Sequence, residues 1–201
     1  MELETKRLVL RNPRISDWKD IVEGIGDIGV SKNLKFGPYP YKKKDAINWI
    51  KYLMGNWRKK NKESYTFFIE LKSEGKVIGE TGIYGVNKKD KKAITGSWIN
   101  KKYWRKGYLF ETKVPIFDFI FNKLKLRKIE STAWSENKAS RKMLKKLGFK
   151  YEGTKRKSAT DQATGKIHDI VLYGLFKEEW KKMRLKIIKE INKKIKQNEG
   201  F

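Results

Sequence analysis

The sequence predicts a single α/β domain, an α/β sandwich around a mixed β-sheet with helices on both faces. Three observations point there. Apolar residues recur in short strand-like runs and in helix-spaced stripes that alternate along most of the chain. Neighbouring runs are joined in some places by tight turns and in others by helical stretches, so hairpins and crossovers both occur. A chain of 201 residues is long enough for one core that buries roughly 70% of its unfolded surface and short for two.

The elements follow in order. LETKRLVLRNP alternates at Leu3, Leu8 and Leu10 before Pro13 and reads as one strand. Ser16 or Asp17 then caps a short helix through Ile21 and Val22, which Gly24, Gly26 and Gly29 break. After the turn at Pro38 to Pro40, Asp45 caps a second helix with Ile47, Ile50, Met54 and Trp57 at helical spacing. YTFFIEL (Tyr65 to Leu71) and KVIGETGIYG (Lys76 to Gly85) form a hairpin around Ser73 to Gly75. A third strand, AITGSWIN (Ala93 to Asn100), leads through a basic, glycine-containing turn into a helix with Phe110, Val114, Phe117, Ile120 and Phe121. The second half runs strand RKIESTAW, helix NKASRKMLKKLG, strands FKYEGTKRK and HDIVLYGLF, and a Lys-rich terminal helix. No internal repeat or linker interrupts it.

Composition narrows the chemistry. The hydrophobic share of 38% is low, but an aromatic share of 13% separates the chain from disordered sequences. With no Cys and one histidine, His168, thiol chemistry and a Cys- or His-built metal site are excluded, so no metal is expected. MELETKRLVL lacks the apolar core of a signal peptide, and no run of about 18 uncharged apolar residues occurs, so a cytoplasmic protein without a transmembrane segment is expected. The net charge of +26 attracts polyanions such as RNA or the ribosome; a lysine bias from an AT-rich genome explains it equally.

The segment YWRKGYLFE (Tyr103 to Glu111) lies between a strand and a helix, where the free N–H groups of a helix start meet an anion. Gly107 permits close approach of a phosphate, and Arg105 and Lys106 add charge. About thirty residues on, NKASRKMLKKLGFKYEG (Asn137 to Gly153) places a capping Asn137 before a helix whose buried face is Met143, Leu144 and Leu147, with Gly148 suited to a left-handed C-cap. The two segments in this order, with HDIVLYGLFKEEW (His168 to Trp180) and the opening TKRLVLR, resemble the GNAT superfamily of N-acetyltransferases, closest in pattern to the RimJ/RimL-like protein N-acetyltransferases. The resemblance covers residues 1–180 and leaves 181–201 as an added Lys-rich amphipathic helix.

The resemblance implies a mostly antiparallel mixed sheet in which AITGSWIN splays from RKIESTAW, opening a slot for the pantetheine arm of acetyl-CoA. It implies that Ser97, Trp98 and Ile99 offer backbone groups to the pantetheine amides, that Trp104, Arg105, Lys106, Gly107, Tyr108, Leu109 and Phe110 wrap the pyrophosphate, and that Asn137 and Ser140 lie beside the thioester. Many members place an acidic Tyr on the helix after the Asn, where this chain has Leu144; the RimJ/RimL-like alternative, a Ser three residues after the Asn, is Ser140. Glu80, which follows Gly79 on a central strand, is the first candidate for the base, with Asp169 and His168 as second choices; Ile94 stands where RimJ/RimL-like proteins often carry a Glu. Leu109, where the family has Gly or Ala, is expected to narrow the phosphate approach, and Pro115 to kink the following helix.

The implied activity is direct acetyl transfer from acetyl-CoA to a primary amine without a covalent enzyme intermediate. A weak base favours α-amines, so the ranking is a protein N-terminus first, lysine second and polyamines third. The rival reading is a weakly catalytic protein of the same fold that binds RNA or ribosomes. In the terminal helix, Trp180, Met183, Ile187, Ile188, Ile191 and Ile195 form a stripe that packs on its own domain or meets a partner: a second copy in a homodimer, an anionic membrane or ribosomal RNA.

Overall fold

A computed structural model describes residues 1–199, and in it the sequence alternation becomes eight strands and six helices. In chain order these are β1 (Leu3–Glu4), β2 (Leu8–Arg11), α1 (Trp18–Gly26), α2 (Ile28–Ser31), α3 (Lys43–Arg58), β3 (Tyr65–Leu71), β4 (Lys76–Asn87) and β5 (Lys92–Ile99). There follow α4 (Tyr108–Asp118), β6 (Lys128–Trp134), α5 (Lys138–Lys146), β7 (Lys150–Thr160), β8 (Ile167–Phe176) and α6 (Lys177–Glu199). All strands join one sheet in the order β1-β2-β3-β4-β5-β6-β8-β7. Every neighbouring pair is antiparallel except β5 and β6. The expected mixed, mostly antiparallel sheet with helices on both faces is what the chain forms.

Successive side chains of a strand face opposite ways, so β3 divides its own apolar run: Phe67 and Ile69 enter one core and Phe68 the other. On the first face, α1 and α3 bring Ile21, Ile25, Ala46, Ile50 and Leu53 against Phe68, Val77 and Trp98. On the second, α4, α5 and α6 bring Ile116, Phe117, Leu144, Leu147, Trp180 and Ile187 against Phe67, Ile69, Ile129 and Tyr173. The sheet lies between the two cores and its central strands carry side chains into both, while Trp57 at the end of α3 packs against Phe67 of the second core, ring centres 5.2 Å apart.

Several local expectations change. The opening strand is two, because the Thr5 hydroxyl accepts the Leu8 N–H at 3.0 Å and closes a turn that folds β1 onto β2. Gly24 lies inside α1 and Gly29 inside α2, so only Gly26 ends a helix. Asp45 is not the cap residue of α3; it sits in the first turn and accepts the Lys42 N–H at 2.9 Å. The Asp17 carboxylate accepts the Arg14 N–H at 2.7 Å and pairs with the Arg11 guanidinium at 2.8 and 2.9 Å, tying α1 to β2. Helix α4 continues through Pro115 and then widens into a π turn at Phe119–Lys123.

The terminal helix packs on its own domain. Ile187, Ile191 and Ile195 are buried with the second core, and the Asp118 carboxylate accepts both the Trp180 indole N–H at 3.0 Å and the Arg184 guanidinium at 2.7 Å. Lys181, Lys182, Lys186, Lys189 and Lys193 occupy the exposed side. A buried isoleucine contributes roughly 1.5–3 kcal/mol, so three approach the roughly 5–15 kcal/mol that holds a whole domain folded. Truncation after Lys182 should therefore prevent cooperative unfolding from being observed at all, and Ile187→Ala alone should cost roughly 2–5 kcal/mol in urea denaturation. A truncated chain with unchanged stability would show that α6 does not brace the core.

Candidate active site

Strands β5 and β6 pair over only three positions, Lys92↔Lys128, Ala93↔Ile129 and Ile94↔Glu130. Beyond Ile94, β5 stays with β4 and β6 stays with β8, so the two diverge into a fork. The Ser131 hydroxyl bridges the base of the fork by donating to the Thr95 carbonyl at 3.1 Å. Asn100 donates its N–H to Ile78 on β4, and by strand alternation the backbone groups of Trp98 also face β4, while those of Ser97 and Ile99 face the open side. Of the three residues expected to offer backbone groups, Ser97 and Ile99 are therefore the two that border the fork. Trp98 turns its buried indole toward α1 and α3 instead.

The turn after β5 is shaped by its own residues. The Trp104 indole N–H donates to the Ile99 carbonyl at 2.7 Å and folds the turn back on the strand end. Arg105 at φ +64° and Gly107 at φ +81° then redirect the chain into α4. A left-handed residue is inexpensive only for glycine, and Gly107 is the N-cap. The first backbone bond into the helix runs from Glu111 N–H to the Gly107 carbonyl at 3.0 Å. Among the described residues, no protein acceptor takes the N–H groups of 105–110, which leaves a row of donors at the positive end of a helix of 11 residues. Arg105 and Lys106 are exposed beside it, Trp104 is exposed on its outer side, and Tyr108 and Leu109 are half-buried, with Phe110 in the core. These donors and the fork fit an extended thioester with an anionic end.

Sequence reasoning missed what holds this turn. Arg7, in the turn between β1 and β2, donates its backbone N–H and Nε to the Glu111 carboxylate at 3.1 and 2.7 Å. Its Nη2 donates to the Lys106 carbonyl at 3.1 Å, and its guanidinium lies 4.3 Å from the Tyr108 ring centre. Glu111 is fully enclosed, so the pair acts as a clamp rather than as a solvated surface contact.

Glu80 sits on β4 opposite Trp98, on the face covered by α1 and α3. Its carboxylate accepts the Trp49 indole N–H at 2.8 Å and the Tyr84 hydroxyl at 3.3 Å. The Tyr84 ring reaches back over Gly82, where any side chain would occupy the same space. Burial pushes Glu80 up to about 7, and burial together with the Glu80 charge pushes the Tyr84 hydroxyl well above its usual range. The alternatives are committed elsewhere. His168 is held between Glu136 at 2.6 Å and Asp161 at 2.8 Å and stacks on Trp134, and Asp169 accepts the Lys157 N–H at 2.7 Å in the irregular part of β7.

At the start of α5, Asn137 is the N-cap as expected, its side-chain oxygen accepting the Ser140 N–H at 3.0 Å. Its amide nitrogen donates to Asn33 at 2.8 Å, tying α5 to the segment after α2. The Ser140 hydroxyl is half-buried. A second omission of sequence reasoning is Lys113, enclosed on the inner face of α4 and lowered by burial to about 7. Its place inside the apolar pattern Phe110, Val114, Phe117 was the available signal.

Glu80 makes stability depend on pH with a definite sign. Between the ordinary glutamate value of 4.5 and about 7, the folded chain keeps a proton that the unfolded chain has lost. Its contribution is fully present below that window and is lost as pH rises through it. Glu80→Gln should therefore stabilise the protein at about pH 8 by on the order of 3 kcal/mol more than at about pH 4. Equal effects in urea denaturation at both pH values would show that Glu80 ionises as freely as in water.

A family model described as the acetyltransferase (GNAT) domain matches residues 7–150. The uncharacterized N-acetyltransferase p20 of Bacillus licheniformis is 28% identical over 180 residues, covering 89% of this chain and 97% of that protein. Among solved structures, an acetyltransferase (GNAT family) from Bacillus anthracis superposes with a TM-score of 0.75 at 24% identity, over 89% of this chain and 99% of that one. The ribosomal-protein-S5-alanine acetyltransferase from Vibrio fischeri superposes with a TM-score of 0.76 at 18% identity, over 90% and 98%. Among the described residues no group of side chains could hold a metal ion, and no helix is long and apolar enough to cross a membrane. The family match spans the fork, the donor-lined turn and the capped helix together, and the chain accordingly belongs to the GNAT acetyltransferases as an acyltransferase acting on nitrogen.

Proposed function

We propose that the chain transfers the acetyl group of acetyl-CoA to the α-amine of a protein N-terminus. The observation that carries this reading is Glu80, a buried carboxylate raised to about 7 at the level of the sheet where the free edge of β5 runs. A base of that strength is matched to an α-amine near 8 rather than to a lysine near 10.4, whose deprotonation at neutral pH requires roughly 4–5 kcal/mol. The net charge of +26 favours acceptors associated with RNA, and a relative in fold is named for acting on a ribosomal protein. Ribosomal protein N-termini are thus the leading acceptor class, ahead of lysine side chains and polyamines.

In this reading, Ser97 and Ile99 hydrogen-bond the pantetheine arm along the fork, and the N–H groups of 105–110 receive the pyrophosphate. Asn137 and Ser140 lie beside the thioester, with the Ser140 hydroxyl donating to the sulfur. Glu80 accepts the proton of the attacking amine as the C–N bond forms. Glu80 must be ionised to do so, so the rate rises with pH through about 7.

Incubating ribosomal proteins with acetyl-CoA and the enzyme should add acetyl groups at N-termini in mass spectrometry; acetylation confined to lysine side chains or spermidine would overturn the acceptor assignment. Glu80→Gln should lower kcat by about 10²- to 10⁴-fold and remove the acidic limb, with acetyl-CoA affinity unchanged. Gly107→Val places a branched residue at φ +81° and should weaken acetyl-CoA binding about tenfold or more by calorimetry. Unchanged affinity in the folded variant would remove the turn from the binding site.

A further inference from the structure

The thiolate that leaves in acetyl transfer must gain a proton, and in the reading above two hydroxyls could supply it: Ser140, beside the thioester, and Ser97, on the strand that borders the fork. They differ in what stands behind them. Around Ser140 the described residues supply one contact, the Asn137 side chain on its backbone N–H, and no acid touches its hydroxyl. Ser97 is half-buried, with its backbone on the open side of β5; Lys113 Nζ donates to its Oγ, and the hydroxyl in turn donates to the Thr81 hydroxyl at 2.9 Å or the Gly96 carbonyl at 2.6 Å, from which it must turn to reach a sulfur in the fork. The same Nζ donates to the Thr81 and Thr95 hydroxyls at 3.2 Å each.

Three ammonium donors thus meet three hydroxyls, with no carboxylate among them. The acids on neighbouring elements are engaged elsewhere. On α4, Glu111 is bonded to Arg7 and Asp118 to Trp180 and Arg184. On β4, Glu80 lies across the sheet with Trp49 and Tyr84, and on β6, Glu130 faces Lys92 and Lys128. Nζ also lies 6.0 Å from the centre of the Phe117 ring. An enclosed amine without a counter-charge is a costly choice where leucine would pack, which directs attention to what its proton can do.

Resting on the acetyl-transfer reading, we propose that Ser97, backed by Lys113, delivers the proton to the departing CoA thiolate. As the amine nitrogen bonds to the acetyl carbon, the C–S bond breaks and its electron pair stays on sulfur. The Ser97 hydroxyl proton passes to the sulfur, giving the CoA thiol, and Ser97 recovers a proton from the Lys113 ammonium. The amine's own proton is on Glu80, so exchange with water resets Glu80 to carboxylate and Lys113 to ammonium. A serine alone would be left as an alkoxide, far more basic than a thiolate, whereas an amine near 7 is a slightly stronger acid than a thiol near 8.5. Ser140 hydrogen-bonds the sulfur without giving up its proton. Ser97 is the catalytic residue and Lys113 a positioning and proton-supplying one.

The test compares wild type with Lys113→Met, Lys113→Arg, Ser97→Ala and Ser140→Ala. Lys113→Met and Ser97→Ala should bind acetyl-CoA within about threefold of wild type by calorimetry, lose about 30-fold or more in kcat and lose the fall in rate above about pH 7. Lys113→Arg keeps the charge but does not release a proton, and should stay slow; full rescue by arginine would overturn proton delivery in favour of simple charge. Ser140→Ala should keep the alkaline limb, and its loss there would return the donor role to Ser140. Ultraviolet titration of the thiol of bound CoA gives a readout that needs no turnover: its ionisation should shift in Lys113→Met, and no shift would overturn the proposal. If wild type acetylates no amine, the acetyl-transfer reading fails on its own while the thiol titration still reports on Lys113. Should Lys113→Met not fold, Ser97→Ala carries the same kinetic test.

Discussion

The divergence of two central strands is the constraint on which the rest of the structure depends. A sheet is stable because each strand's N–H and C=O groups find partners on both sides, and parting β5 from β6 after three pairs leaves one edge of β5 without a strand partner in the middle of the protein. The chain tolerates this because flanking antiparallel ladders hold each strand from its other side, β4 against β5 and β8 against β6. Helices close both faces, and Ser131 spans the fork at its base. An opening held in this way is a fixed feature of the fold.

Two titratable groups exploit the burial that the sheet enforces. Glu80 and Thr81 are consecutive on β4 and face opposite sides, so the carboxylate lies with Trp49 and Tyr84 while the threonine meets Lys113 beneath the other face. Burial raises the acid and lowers the amine until both lie at about 7. No direct ion pair forms between them, because the sheet stands in the way. Each group remains able to exchange a proton at neutral pH, which an ion pair would prevent.

Much of the fold was legible in the sequence because it rests on short-range regularities: period-two runs, helical stripes and glycines at turns. β3, α5 and the buried stripe of α6 appear where those patterns placed them. The fork was legible only through resemblance, since nothing in AITGSWIN alone says that its far half lacks a partner on one side. The details that periodicity does not encode are the ones that changed. Thr5 divides the first strand by a side-chain hydrogen bond, and Arg7 clamps a turn about a hundred residues away. Lys113 carries the residue type of a solvated face, and its place within the apolar stripe of α4 was the one sequence sign that it is enclosed. Glu80 was legible as a strand acid beside Gly79, whereas the Trp49 and Tyr84 groups that surround it come from separate elements.

The position of α6 also has a consequence for biosynthesis. Ile187, Ile191 and Ile195 close the core beneath α4 and β8, yet they follow all eight strands in the order of translation. A nascent chain can pair its sheet while that face is still open to water, and the face closes only once α6 has left the ribosomal exit tunnel. Until then Phe117, Phe149 and their neighbours present an apolar surface of the kind that chaperones bind. Closure of that core therefore waits on the emergence of α6 rather than on formation of the sheet.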